Sequence, residues 1–324
     1  MRKLRKAVFF IEPDFISSAI LETWLNQGHG VVKIYTADER KLKTKFQQRL
    51  KALIAGRQTL HALATKHSIP IQQIGEDKNP LFHDVLAQEA DTLFTVMSHF
   101  IVPSILLEKF GAYAINFHPA LLPDYKGARP TGSMLMDGVA DDVGGVTAHI
   151  LTDDIDCGPI IAKRSVPCSP NRSLVTWSYL QALAAIQIMQ LGVLPYLNGS
   201  LEAVPQVEGS GHYRKSSAWE FQVTSDKSLA EVSLLFERLK MLTLRAQHET
   251  GEAHRLSYRV FGIDKVLGAP TGGAPVIGTL YSEMDLADAR VRLKRRSIFK
   301  STIGHPICAL LGFRLRQLAN KSTP

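Results

Sequence analysis

Cysteine is scarce in this chain. Its 324 residues hold three, Cys157, Cys168 and Cys308, with no CxxC pair and no Cys/His ligand spacing, so neither a disulfide framework nor a zinc site is expected. A chain without metal, in a reducing cytoplasm, is the expectation. Two nucleotide fingerprints are also missing. GxGxxG and GxxxxGK[ST] are both absent, which argues against the dehydrogenases and phosphate-loop enzymes whose glycine-rich turns cradle phosphate. No uncharged stretch is expected to span a membrane, which takes about 20 apolar residues. The start, "MRKLRKAVFFIEPDF", has the basic-then-apolar order of a signal peptide, but its apolar run Ala7–Ile11 meets Glu12-Pro13-Asp14 and no small-residue cleavage site follows.

Acid is absent from one region. Residues 290–324 carry nine Lys/Arg and no Asp or Glu, so the net charge of +8 belongs to this tail and the rest of the chain sits at −1. Any attraction to polyanions is expected there. What is present elsewhere is ordinary: 45% hydrophobic and 21% charged residues describe a soluble globular protein, and the length suits two domains.

Apolar runs and amphipathic segments alternate through the first two thirds. "KAVFFI" reads as a buried strand, "SSAILETWLNQGH" as a helix capped by Ser, and "GVVKIYT" as a second strand. Surface helix is expected between Ala37 and Thr59. Further helix and strand steps follow through "TLHALATKHSIPIQQI", "PLFHDVLAQEA", "DTLFTVMSHF", "VPSILLEKF" and "YAINFH". This is the pattern of a doubly wound, mostly parallel α/β sheet, whose ligands sit beyond the carboxyl ends of the strands. "SLVTWSYLQALAAIQIMQLGVLPYL" reads as a long apolar helix, and "NGSLEAVPQVEGSGHYRKSS" as a linker. A first domain over 1–206 and a second over 207–324 are expected. In the second, "LAEVSLLFERLKMLTLRA" reads as helix and "HRLSYRVFGI", "APVIGTLY" and "ARVRLKRR" as short strands of a β-rich or barrel-like unit.

Chemistry concentrates at the end of "YAINFH". Side chains alternate along a strand, so Asn116 and His118 share one face while Ile115 and Phe117 share the other. Alone, the pair reads first as two hydrogen-bonded polar residues at a strand end. A second polar cluster, Asp153, Asp154 and Asp156, sits in a turn after the strand "VGGVTAHILTD". If these converge, the Asn amide can donate to an oxygen that becomes negative during acyl transfer. His118 can stabilise that charge or take a proton, and Asp156 can orient the imidazole. No member need be a nucleophile, which favours direct transfer to an amine.

The segments "INFHPALLPDYKGARP" and "GGVTAHILTDDIDCGPII" resemble the formyltransferases that use 10-formyltetrahydrofolate, whose shared pattern is NxHPSLLPxYRG followed by GVTxHxxxxxxDxGxI. The resemblance covers roughly residues 6–206 and includes "FFIEPDF" and "GHGVVKIYTADE", which are similar to the methionyl-tRNA formyltransferase branch. It implies a Rossmann-like sheet, with catalytic Asn116, His118 and Asp156 and a second histidine at His149. It also implies a pterin pocket held by groups around His99, Phe100 and Ile101 with Leu151 and Asp153, and no metal.

Two acceptor classes stay open. Pro119-Ala120 and "PDYKG" depart from the loop of the transfer-RNA branch and are closer to the amino-sugar and glycinamide enzymes. Glu12-Pro13-Asp14 stands where the glycinamide enzymes have a phosphate loop. The second domain lacks the Trp and "RAF-PWP" pattern of the transfer-RNA branch. A small biosynthetic amine, such as a nucleotide-linked amino sugar, is the leading expectation, and methionyl-tRNA formylation the alternative. Formyltetrahydrofolate hydrolysis and non-catalytic folate or RNA binding rank lower. The basic tail suits transfer RNA or, more weakly, an anionic membrane surface, with "IGHPICALLGF" too short to cross one.

Overall fold

Strands that are apolar along their whole length must be covered on both faces. In the computed structural model, which describes residues 3–37, 53–54, 56–98, 100–169, 174–217, 219–239, 244–250 and 254–295, two such strands form the centre of the first sheet. They are β1 (Lys6–Ile11), buried at all but its first residue, and β4 (Thr92–Val96), buried throughout. The sheet is completed by β2 (Gly30–Thr36), β3 (Ile71–Gln73), β5 (Ala114–His118), β6 (Gly145–Ile150) and β7 (Ile160–Ser165), in the order β3-β2-β1-β4-β5-β6-β7. Pairing is parallel from β3 to β5 and antiparallel from β5 through β6 to β7. This is the doubly wound, mostly parallel sheet expected.

Adjacent residues of β1 feed opposite faces. On one side Phe9 and Phe94 lie with ring centroids 4.9 Å apart, and Phe94 also meets Trp24 of α1 (Phe15–Asn26) at 5.1 Å and Phe117 at 6.2 Å. On the other, Phe10 stacks on Tyr35 at 4.9 Å and on Phe100 at 4.6 Å, within a cluster that includes Leu93, Val85 and Leu106. Helix α1 starts one turn earlier than a Ser cap would place it. Asp14 is the N-cap, its carboxylate accepting the Ile16 N–H at 2.8 Å, and Ser17 and Ser18 are buried inside the helix.

The long apolar segment is helical from Leu174 to Leu197, with a π turn at Met189–Val193. Contrary to the expectation about membrane-length stretches, Thr176–Leu197 is long and apolar enough to cross a bilayer. Its placement decides the matter: 56% of its most apolar window is buried, and it packs on α1, β6 and β7. It is a core helix covering one sheet face.

The chain divides into two compact units. One holds the described residues up to Thr131 and Ala140–Arg214, and the other holds Gly132–Val139 and the described residues from Lys215 onward. The division differs from 1–206 and 207–324 at both places. The linker-like stretch up to Arg214 is bonded into the first unit, Val204 pairing with Ile160 through two 2.8 Å backbone bonds. Most of the helix Pro130–Asp137 belongs to the second, where Gly132 lets the Phe221 ring approach to what would be 3.2 Å from a Cβ.

The second unit is strand-rich, as expected. Its six-stranded sheet runs β11-β12-β13-β10-β9-β8, from β8 (Gln222–Val223), β9 (Leu244–Thr250), β10 (His254–Gly268), β11 (Val276–Ile277), β12 (Tyr281–Asp285) and β13 (Arg290–Arg295). The expected helix ends early, at Arg238, and "LRA" opens β9. Leu244 and Ala246 are buried with Arg245 exposed between them, a period of two that suits a strand paired with Tyr258 and Arg259. The start of the basic tail is also part of this sheet. Arg290, Arg292 and Lys294 on β13 pair with Asp285 at 2.9 Å, Glu283 at 2.9 Å and Asp264 at 3.7 Å. These three charges are compensated rather than offered to a polyanion. The tail beyond Arg295, with Cys308 and "IGHPICALLGF", and most of the segment expected as surface helix between Ala37 and Thr59 lie outside the described residues.

Phe94 touches three aromatic rings at full burial, so Phe94→Ala is expected to cost about 3–5 kcal/mol of stability. Urea denaturation of the two proteins checks this; a loss below 1 kcal/mol would show that the ring cluster does not anchor the core.

Candidate active site

The parallel sheet places β4 and β5 with their carboxyl ends together, and antiparallel β6 returns alongside β5. In register, Thr95 of β4 faces Asn116 of β5, which faces His149 of β6. The three side chains form one row. Thr95 Oγ1 donates to Asn116 Oδ1 at 2.8 Å, which fixes the amide so that Nδ2 points away from Thr95. Asn116 Nδ2 lies 3.1 Å from His149 Nε2 and donates to Asp156 Oδ1 at 3.3 Å. His149 Nδ1 lies 2.9 Å from the Ile150 carbonyl; a carbonyl only accepts, so Nδ1 carries the proton and Nε2 accepts from Asn116.

His118 is on the same face of β5 two residues on, as strand alternation requires. Its Nε2 lies 2.9 Å from the Tyr125 carbonyl, so Nε2 holds the proton of the neutral ring. The basic nitrogen is therefore Nδ1, and it lies 3.5 Å from Asp156 Oδ2. Burial holds His118 below its ordinary 6.5, against the opposing pull of the Asp156 charge. The ring is neutral at pH 7 and can take a proton at Nδ1, where the carboxylate would stabilise it.

Asp156 is the centre of the cluster. It is 9% exposed, and its Oδ2 accepts the Gly127 N–H at 2.8 Å while Oδ1 lies 3.3 Å from His149 Nε2. Burial alone would raise its pKa. The charge of the His118 ring, which carries a proton at the acid pH where a carboxyl titrates, acts with the Gly127 N–H to outweigh burial and hold the carboxyl well below its ordinary 3.8. Asp156 thus stays anionic across the neutral range. Its backbone is left-handed, with φ of +56°. Nearby, Gly158 meets a close backbone approach: a Cβ there would lie 1.9 Å from the Ile150 carbonyl oxygen.

The residues expected at the pterin pocket are spread more widely. Phe100 and Leu151 pack on the same apolar cluster, although 51 residues separate them. Two of their backbone donors are already used: Phe100 N–H donates to Ser98 Oγ at 3.1 Å and Leu151 N–H to the Ala114 carbonyl at 2.8 Å. Ile101 is exposed, and Asp153 accepts from Ser104 Oγ at 2.5 Å, next to the chain leaving Ile101. His99 lies outside the described residues. No group of three or more His, Cys, Asp or Glu able to hold a metal occurs among the described residues. A cavity of about 420 Å³ is lined by Trp219, Glu220, Asp226, Lys227 and Gln247 of the second unit and by none of the expected site residues.

The formyl transferase family matches residues 5–185, more than half of the chain. The chain belongs to this family. Among formyl transferases similar to it is the methionyl-tRNA formyltransferase of Listeria monocytogenes serotype 4a, 29% identical over 206 residues, 63% of this chain and 62% of that one. The corresponding Staphylococcus epidermidis protein is 26% identical over 204 residues. The chain thus spans about three fifths of the length of the curated relatives it matches. Two solved structures share its fold. An N-formyltransferase from Helicobacter canadensis, in complex with folinic acid and dTDP-3-aminofucose, covers 91% of this chain and 100% of its own at TM-score 0.55 and 15% identity. A sugar N-formyltransferase from a Shewanella species covers 80% and 98% at TM-score 0.55 and 14% identity.

Reasoning from sequence missed Thr95, the Tyr125 carbonyl and the Gly127 N–H. Thr95 carried a signal, being a hydroxyl between Phe94 and Val96 near the carboxyl end of a buried strand; the two backbone groups carried none.

Acid should destabilise this site by two routes with the same sign. Asp156, depressed on folding, stabilises the fold above its unfolded value near 3.8 and loses that contribution as pH falls toward the folded value. His118, also depressed, protonates more readily in the unfolded chain, so stability drops as pH falls below 6.5. Denaturation midpoints at pH 7 and pH 5 should show a loss that His118→Gln reduces. An equal loss in both proteins would contradict the burial of a neutral His118.

Proposed function

We propose that the protein transfers a formyl group from 10-formyltetrahydrofolate to the primary amine of a small biosynthetic acceptor, such as a nucleotide-linked amino sugar. The observation that carries this reading is the cluster of half-buried Asn116 with buried His118 and Asp156, in which a neutral His118 turns its basic Nδ1 to a permanent anion. The amine lone pair attacks the formyl carbon, and Asn116 Nδ2 turns from its 3.3 Å bond with Asp156 to donate to the oxygen as it becomes negative. His118 takes the proton the amine loses, held as imidazolium by Asp156. The carbon–nitrogen bond to the folate then breaks, the proton passes to the leaving nitrogen, and a formamide and tetrahydrofolate result. Phe100, Leu151 and Asp153, with His99 and Ile101, are the groups proposed for the pterin.

A small acceptor is supported by the N-formyltransferase in complex with dTDP-3-aminofucose, whose fold extends over 91% of this chain. Methionyl-tRNA formylation is the second reading, favoured by the closer sequence identity of that branch.

Purified protein given the formyl donor with amino-sugar nucleotides and, separately, with charged initiator transfer RNA should formylate the sugar. Formylation of the transfer RNA alone, at catalytic enzyme concentration, would reverse the choice of acceptor. His118→Ala should lower kcat by about a hundredfold or more while tetrahydrofolate still binds. Turnover within a few-fold of the parent would remove His118 from the mechanism.

A further inference from the structure

The stretch between the core helix and the second unit has the Gly, Pro and Ser content of a linker, yet it is bonded to the loops of the site. Gln206 Nε2 donates to the Asp156 carbonyl at 2.9 Å and to the Gly158 carbonyl at 2.8 Å. A primary amide has two N–H donors, and both are used on the turn that carries Asp156. That turn needs holding, because Asp156 is left-handed at φ +56°, a conformation a residue with a Cβ rarely adopts. Gln206 Oε1, meanwhile, is buried with no partner among the described residues. A side chain present for stability alone gains little from stranding an acceptor in this way.

A few residues on, the same stretch binds the other side of the site. Lys126 N–H donates to the His212 carbonyl at 3.1 Å, Arg214 N–H donates to the Lys126 carbonyl at 3.0 Å, and Lys126 Nζ donates to the Ser210 carbonyl at 3.0 Å. The flanking residues of that loop are the ones that matter, Tyr125 presenting its carbonyl to His118 and Gly127 its N–H to Asp156. Residues 206–214 therefore hold both the Asp156 turn and the 125–127 loop.

We propose that Gln206 is a positioning residue for the Asn116, His118 and Asp156 site, and that residues 206–214 form a strap that sets the distance between Asp156 and His118. Only the kinetic consequence rests on the formyl-transfer reading. His118 faces the Asp156 carboxylate, His149 and the Tyr125 carbonyl. If the Asp156 turn relaxes, His118 loses its anionic neighbour while burial and His149 remain, so its ring becomes harder to protonate.

Gln206→Met keeps the length of the side chain and removes both donors. The test is the NMR titration of the His118 ring in the full-length protein without substrate, parent against Q206M, with the thermal midpoint recorded for both. The expected result is a His118 midpoint at lower pH in Q206M. With substrates, kcat should fall about tenfold or more with the KM of the formyl donor little changed. His118 titrating at the parent's pH in Q206M would overturn the proposal, whatever happens to stability. If Q206M does not fold, Gln206→Asn, one methylene too short to reach both carbonyls, takes the same titration with the same two outcomes. A parent that transfers no formyl group would overturn the functional reading, while the titration would still decide the role of Gln206.

Discussion

The buried carboxylate of Asp156 is the constraint around which the first unit is organised. An anion taken out of water is tolerated only where donors replace its hydration. Here these come from far apart in the chain, the Gly127 N–H at 2.8 Å and Asn116 Nδ2 at 3.3 Å, and the rings of His149 and His118 stand at 3.3 and 3.5 Å from the same oxygens. Each neighbour fixes a different segment. The end of β5, the loop after it, the end of β6 and the turn at Asp156 cannot shift independently without leaving the charge exposed to an apolar interior.

The sheet explains why these segments meet at all. Parallel pairing of β4 and β5 puts Thr95 beside Asn116, and antiparallel return of β6 puts His149 on Asn116's other side. Antiparallel pairing at this edge thus extends the polar row of β4 and β5 across a third strand. The aromatic contacts of Phe94 with Phe9, Trp24 and Phe117 hold the same strands from the face below. Register and side-chain alternation together set the site, and the loops complete it.

Much of this was legible because periodicity is a local property. The apolar runs of β1 and β4, the alternation of "INFH" and the amphipathic segments between them depend only on neighbours in the chain. Asn116 and His118 were legible through the same alternation, and Asp156 through the family pattern. What stayed illegible was tertiary. Residues 198–214 have the composition of a linker, yet Val204, Gln206, Ser210, His212 and Arg214 bond them into the first unit. The uncharged Thr176–Leu197 and a membrane span share one composition, and only burial against α1 and the sheet separates them. The basic tail similarly looked like a free polycation until β13 placed Arg290, Arg292 and Lys294 against acids of β10 and β12.

By itself, then, the sequence determined the doubly wound sheet and the strand-rich character of the second unit, which follow from residue spacing along single segments, while the family pattern singled out Asn116, His118 and Asp156. Only the tertiary structure decided which nitrogen of His118 is basic, because that depends on the Tyr125 carbonyl 2.9 Å from the other nitrogen. It also decided the protonation of Asp156 and the place of Gln206 beside it. These are matters of distance between segments far apart in the chain, and a backbone carbonyl or N–H leaves no mark in the identity of the residue that supplies it.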